Sequence, residues 1–165
     1  MKIRKIKNQA LHFVCLGLLL VVAVVALPGV FGRGEGANVA NAQTLTVYKS
    51  PTCGCCANYI AYLKREGFTV KTVNTKDMGE IKTKYGVPSD MESCHTTVAG
   101  DGEYVIEGHI PVEAVLKLLE EKPAVQGIAM PGMPAGSPGM PGRKNGPFTI
   151  YKITDGAAQD VFLSL

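Results

Sequence analysis

The chain has 165 residues, 46% of them hydrophobic, which is long enough and apolar enough for one packed domain and excludes the low-hydrophobicity, high-charge composition of a disordered chain. Its formal charge of +3 misleads: five of the 17 Lys/Arg and one of the 14 Asp/Glu lie in residues 1–42, so 12 basic and 13 acidic side chains remain in the rest. That near-neutral remainder has no Lys/Arg cluster or basic–aromatic stripe, so it lacks the electrostatic footprint of nucleic-acid binding and leaves small ligands and protein partners.

Lys2, Arg4, Lys5 and Lys7 precede an almost wholly apolar run over residues 10–27. A basic start followed by an apolar segment reads as an export signal. Ala40-Asn41-Ala42 supplies the small-x-small pattern of a cleavage site, which leaves Gln43 as the first mature residue. The run is also followed by a Gly-rich stalk over residues 29–36, so the alternative is an uncut N-terminal membrane anchor with its basic end in the cytoplasm. Both readings give the same organisation. Residues 1–42 are a targeting or anchoring segment with its stalk, and residues 43–165 are a folded domain outside the cytoplasm, in the periplasm or an equivalent compartment. His12 and Cys15 fall inside the apolar run and are assigned no role there.

Residues 44–49 alternate Leu45 and Val47 with Thr44, Thr46 and Tyr48, the period of a strand, and Ser50-Pro51-Thr52 ends it. From Cys56 the apolar positions Cys56, Ile60 and Leu63 recur at helical spacing with Tyr59 alongside, and Gly67 stops the helix, so Cys56 shares the buried face. Residues 68–73 read as a second strand and 76–85 as a second helix with Met78, Ile81 and Tyr85 inward. Residues 94–99 and 104–107 are strands joined across Gly100-Asp101-Gly102, a hairpin signal, and Pro111 then opens a helix with Val112, Val115, Leu116 and Leu119 inward.

This βαβαββα order, with a cysteine cluster between the first strand and the first helix, resembles the thioredoxin fold. Beyond it, residues 125–142 form a Pro/Gly/Met-rich loop, and residues 148–154 and 158–163 form a hairpin around Asp155-Gly156, expected to pack on the core. The fold class is therefore α/β, a thioredoxin-like core with an appended C-terminal β-hairpin.

Three readings of the cysteines compete. Cys53 and Cys56 have the spacing of a redox pair, and the unpaired N–H groups and dipole of a helix N-terminus stabilise a thiolate there. In that reading Cys53 attacks and Cys56 resolves, while Cys55 competes for the same bridge. An exported domain with four cysteines also suits two structural disulfides. Yet adjacent Cys55 and Cys56 cannot easily bridge each other, and three cysteines within one turn leave Cys94 as the single distant partner.

The third reading is a metal site. In a thioredoxin-like sheet the third strand runs antiparallel to the first, so its start reaches the rim where the first strand ends, and Cys94 is expected to face Cys53, Cys55 and Cys56. Soft thiolates select Cu(I), zinc or iron–sulfur centres. The clustering is unlike the paired Cys-x-x-Cys of zinc knuckles or ferredoxin spacings, whereas Cu(I) tolerates crowded, bridging thiolates.

Glu107-Gly108-His109 ends on the same rim, so His109 is a candidate ligand or tuning group. His95, one residue after Cys94 on the same strand, is expected to face away. Met130, Met133 and Met140 lie in a segment whose prolines and glycines forbid helix and central strand, and their thioethers are further candidate copper ligands. Met78 belongs to the core stripe of the second helix, and Met91 is left unassigned.

With these residues assembled, the chain resembles the exported copper-resistance proteins of the CopG type over about residues 45–163. The resemblance rests on "SPTCGCC" at 50–56, "SCHT" at 93–96, "EGHIP" at 107–111 and "GIAMPGMPAGSPGM" at 127–140. It implies a domain that binds Cu(I), as a multinuclear cluster, through Cys53, Cys55, Cys56 and Cys94, and that works in copper resistance with other exported copper-handling proteins. The alternative is a thiol-disulfide or copper-redox oxidoreductase using Cys53 and Cys56.

Overall fold

The computed structural model describes Ala40 and residues 43–165. The basic and apolar segment read as a signal or anchor lies outside the described residues, and no helix among them is long and apolar enough to cross a membrane.

The chain runs β1 (Thr44–Lys49), α1 (Gly54–Arg65), β2 (Thr69–Asn74), α2 (Met78–Lys84), a 3-10 turn (Ser89–Met91), β3 (His95–Ala99), β4 (Tyr104–Glu107), α3 (Val112–Glu121), β5 (Gly127–Ala129), β6 (Thr149–Thr154) and β7 (Ala157–Ser164). The strands form a single seven-stranded sheet in the order β2-β1-β3-β4-β5-β6-β7. In its first four strands β1 is parallel to β2, β3 antiparallel to β1 and β4 antiparallel to β3, the mixed α/β arrangement expected from the element order.

The C-terminal hairpin differs from the expectation. Gly127–Ala129, read as loop, is a strand that pairs parallel with β4 and antiparallel with β6, so β6 and β7 continue the sheet instead of packing on it. A three-residue strand between Pro/Gly-rich neighbours is too short to show a period, and only its two partners define it.

Burial follows sheet position. Every residue of β3 and β4 is buried, as it must be for central strands covered on both faces, whereas the edge strand β2 is largely exposed. Period-2 alternation along β4 sends Tyr104 and Ile106 into the main core with Tyr59 and Leu63 of α1 and Val115 and Leu118 of α3. Val105 and Glu107 point to the other face, where Val105 packs with Val87, Ala129 and Ile153. On that face, Lys82 of α2 is buried beside the half-buried Met78, Ile81 and Tyr85.

In α3 the fully enclosed positions are Ala114, Val115, Leu118 and Leu119, while Val112 and Leu116 are half-buried at the margin. The inward stripe is therefore rotated by part of a turn from the expected one. Leu118→Ala should cost about 2–5 kcal/mol of unfolding free energy, as a fully buried Leu truncation does, and Leu116→Ala clearly less. Urea unfolding of the two variants against the parent checks the order.

Candidate metal centre

The first cysteine group is built by a helix start. Ser50-Pro51-Thr52 ends β1, and Cys53 N–H donates to the carbonyl of Ser50 at 3.1 Å. Cys53 is in extended conformation at the N-cap of α1, where its sulfur accepts from Cys56 N–H at 3.3 Å. The apolar stripe of α1 carries Cys56 into the buried face with Tyr59, Ile60 and Leu63, as its spacing predicts.

The second group comes from the neighbouring strand. Lys49, the last residue of β1, pairs with His95, the first of antiparallel β3, so Cys94 immediately precedes the strand at the rim where the cysteine turn begins. Cys94 Sγ is 3.6 Å from Cys56 Sγ and 3.8 Å from Cys55 Sγ, and Cys55 Sγ is 3.4 Å from Cys53 Sγ. The four sulfurs all lie within 4.8 Å of one another. Cys53 and Cys56 are joined by a disulfide, and Cys55 and Cys94 are free thiols. Two structural bridges, one of the sequence alternatives, are thus not what the structure holds.

Two imidazoles floor this cluster. His109 Nε2 is 3.0 Å from Cys94 Sγ, as the rim placement of β4 anticipates. His95 Nδ1 is 3.4 Å from the same sulfur, which corrects the expectation that His95 faces away. Cys94 lies before β3 rather than in it, so strand alternation does not separate the two side chains. Cys94, His95 and His109 form a second group whose ligand atoms also lie within 4.8 Å of each other. The His95 ring packs on Tyr59 at 4.5 Å between centroids and meets His109 edge-on at 4.7 Å.

Tyr59 is fully buried, and its hydroxyl donates to the carbonyl of Ile110 at 2.9 Å, tying α1 to the turn that carries His109. The Pro/Gly/Met loop closes the other side. The carbonyl of Pro138 accepts from His109 Nδ1 at 2.7 Å. A carbonyl only accepts, so Nδ1 carries the hydrogen, and the lone pair of the neutral ring is on Nε2, facing Cys94. Gly139 makes this approach available. Its φ is +83°, and a Cβ there would sit 2.7 Å from Tyr59 N and 2.8 Å from the Cys55 carbonyl.

The three methionine candidates part company. Met130 is buried in the main core, Met140 is half-buried, and Met133 has 52% of its surface exposed.

Burial keeps Cys94 and both imidazoles neutral. Burial, then the neighbouring Cys55, pushes the Cys94 thiol up to about 12. Burial lowers His95 well below the ordinary range, helped by His109 and Lys82, and burial lowers His109 against the pull of Pro138. His95 Nε2 is buried with no hydrogen-bond partner among the described residues. A neutral imidazole offers its lone pair to a soft cation directly, whereas a thiol gives up its proton as the cation binds.

What these features define is a small α/β protein with four sulfurs and two neutral imidazoles gathered at one rim of its sheet. Two solved structures, described as "Copper resistance protein copG", Form 2 and Form 1, are similar to it at 38% and 39% sequence identity with TM-scores of 0.67 and 0.66. Each likeness covers 74% of this chain, and 98% and 96% of the respective structure. The family described as "Protein of unknown function, DUF411" matches residues 91–140, which span Cys94, His95, His109 and the methionine loop. No curated protein sequence matches the chain. The chain belongs to the CopG copper-resistance protein family.

Of the site, Cys53, Cys55, Cys56, Cys94 and His109 were legible in the sequence. His95, Tyr59 and the Pro138 carbonyl were not. The adjacency of Cys94 and His95 at a strand start was the one available signal for His95.

Two outcomes follow from this geometry. A ring whose pKa is lower in the folded protein than in the unfolded chain takes up its proton preferentially on unfolding. The stability due to the neutral rings is therefore complete above about pH 6.5 and falls below it, by up to about 1.4 kcal/mol per pH unit for each ring. His95→Gln should flatten this acid limb in urea titrations of metal-free protein between about pH 4.5 and 7. Gly139→Ala should cost about 1–3 kcal/mol in the same assay, through overpacking against α1.

Proposed function

We propose that the protein is an extracytoplasmic copper-binding protein of copper resistance, holding Cu(I) as a multinuclear thiolate cluster through Cys53, Cys55, Cys56 and Cys94. The observation that carries the reading is the convergence of four sulfurs within 4.8 Å, from segments 38 or more residues apart in sequence. That spacing suits thiolates shared between soft ions. His109 offers Nε2 to an ion held by Cys94, and the Pro138 carbonyl fixes its orientation.

Loading requires chemistry at the bridge. A dithiol or another two-electron reductant supplies two electrons and two protons to the Cys53–Cys56 disulfide, giving two thiols. Each thiol, with Cys55 and Cys94, then loses its proton as Cu(I) binds. Exposed Met133 and half-buried Met140 offer thioethers that need no deprotonation, and so serve as passing ligands for ions arriving from other exported copper-handling proteins. Met130 serves in the core. Residues 1–42 deliver the domain outside the cytoplasm, as a cleaved signal or as an anchor.

A second reading has one specific observation in its favour: the bridged pair sits at a helix N-cap, the position of a thiol-disulfide or copper-redox oxidoreductase. The two readings diverge on Cys55. Anaerobic titration of reduced protein with Cu(I) should show tight uptake that collapses in Cys55→Ser and in Cys94→Ser. Unchanged uptake by Cys55→Ser, together with disulfide-reductase activity lost only in Cys53→Ser, would favour the oxidoreductase instead.

A further inference from the structure

Cys94 poses a positioning problem. The β1–β3 register begins at His95 and the β3–β4 register at Thr96, so ladder pairing stops short of the cysteine that faces every other ligand. On the opposite face of the sheet from the imidazoles, Glu107, at the end of β4, is fully buried. Its Oε1 accepts from Ser93 N–H at 2.7 Å and pairs with Lys82 of α2, and its Oε2 accepts from the Thr96 hydroxyl at 2.6 Å. Ser93 and Thr96 bracket Cys94 and His95. One carboxylate therefore grips the chain on both sides of the two residues whose side chains turn toward the metal site.

We propose that Glu107, held by Lys82, is a positioning residue of the metal centre that sets the place of Cys94 by gripping Ser93 and Thr96. The proposal rests on the copper reading above. Stability alone is a poor account of the pair, because buried ion pairs commonly contribute little against apolar replacements of the same volume. Lysine is almost never fully buried unless paired, so the chain commits Lys82 to Glu107. The backbone is tied in as well. Gly108 N–H donates to the His95 carbonyl at 3.2 Å, Met130 N–H to the Glu107 carbonyl at 3.0 Å, and the Ser93 hydroxyl to the Gly132 carbonyl. The grip thus reaches Cys94, His95, His109 and the methionine loop together.

The test compares two charge-free double variants of the full-length protein. Lys82→Met with Glu107→Gln keeps an amide oxygen that accepts from Ser93 N–H. Lys82→Met with Glu107→Leu keeps the bulk and removes the acceptor. Reduced proteins are titrated with Cu(I) against a competing chelator, and the sulfur coordination of bound copper is read by X-ray absorption. The Gln variant should match the parent. The Leu variant should lose roughly 10- to 100-fold in affinity, the range for removal of groups that orient a ligand, and should show the coordination of Cys94→Ser, while unfolding as late as the Gln variant. A Leu variant with parental affinity and coordination overturns the proposal. Should either variant fail to fold, hydrogen exchange at the Ser93 amide of the metal-free parent decides: protection comparable to the β3 amides supports the grip, and free exchange overturns it. A parent that takes up no Cu(I) sinks the copper reading, and the Ser93 amide then still judges the grip on its own.

Discussion

The antiparallel pairing of β1 with β3 is the constraint on which the site depends. It places the end of one strand beside the start of the other, and so brings the turn after Lys49 against the residue before His95. Each segment supplies only part of the set: three cysteines come from the turn after β1, and the half-buried Cys94 comes from the residue before β3. The twist and register of two central strands, secured by packing on both faces of the sheet, fix their mutual distance far more tightly than loops could.

The chemistry is layered across that rim. Cys53, Cys55 and Cys94 are partly accessible, whereas Cys56 and both imidazoles are enclosed. Burial that keeps a thiol protonated and a ring neutral has one physical origin, the cost of charge away from water. A bound cation reverses that cost, because the charge it brings compensates the thiolates it creates. On the proposed copper reading, the same surroundings that keep these groups neutral would favour them as a charged set around a bound cation.

Much of this was readable from residues. The period-2 stretch at 44–49, the helical recurrence of Cys56, Ile60 and Leu63, and the Gly100-Asp101-Gly102 turn each carry their own signal. Together they gave the element order and hence the meeting of the thiols. What escaped the reading depends on partners distant in sequence. Gly127–Ala129 is a strand only because β4 and β6 flank it. The inward stripe of α2, Met78, Ile81 and Tyr85, does not include Lys82, whose partner Glu107 lies 25 residues on, across the sheet. His95 was misdirected by a strand boundary one residue off, enough to reverse the side to which a side chain points. The stripe of α3 turned because Leu118 fits the core more deeply than Leu116 does.

The hydrogen on His109 is dictated by a main-chain oxygen, that of Pro138, and not by any neighbouring carboxylate. Exchanging one side chain for another cannot delete a peptide carbonyl. The protonation pattern of the ring is accordingly indifferent to much of the lettering of the loop, yet hostage to its contour length. Adding or removing a single residue between Met130 and Pro138 would shift that oxygen by about one Cα spacing, roughly 3.8 Å, and would release the imidazole to choose its tautomer afresh.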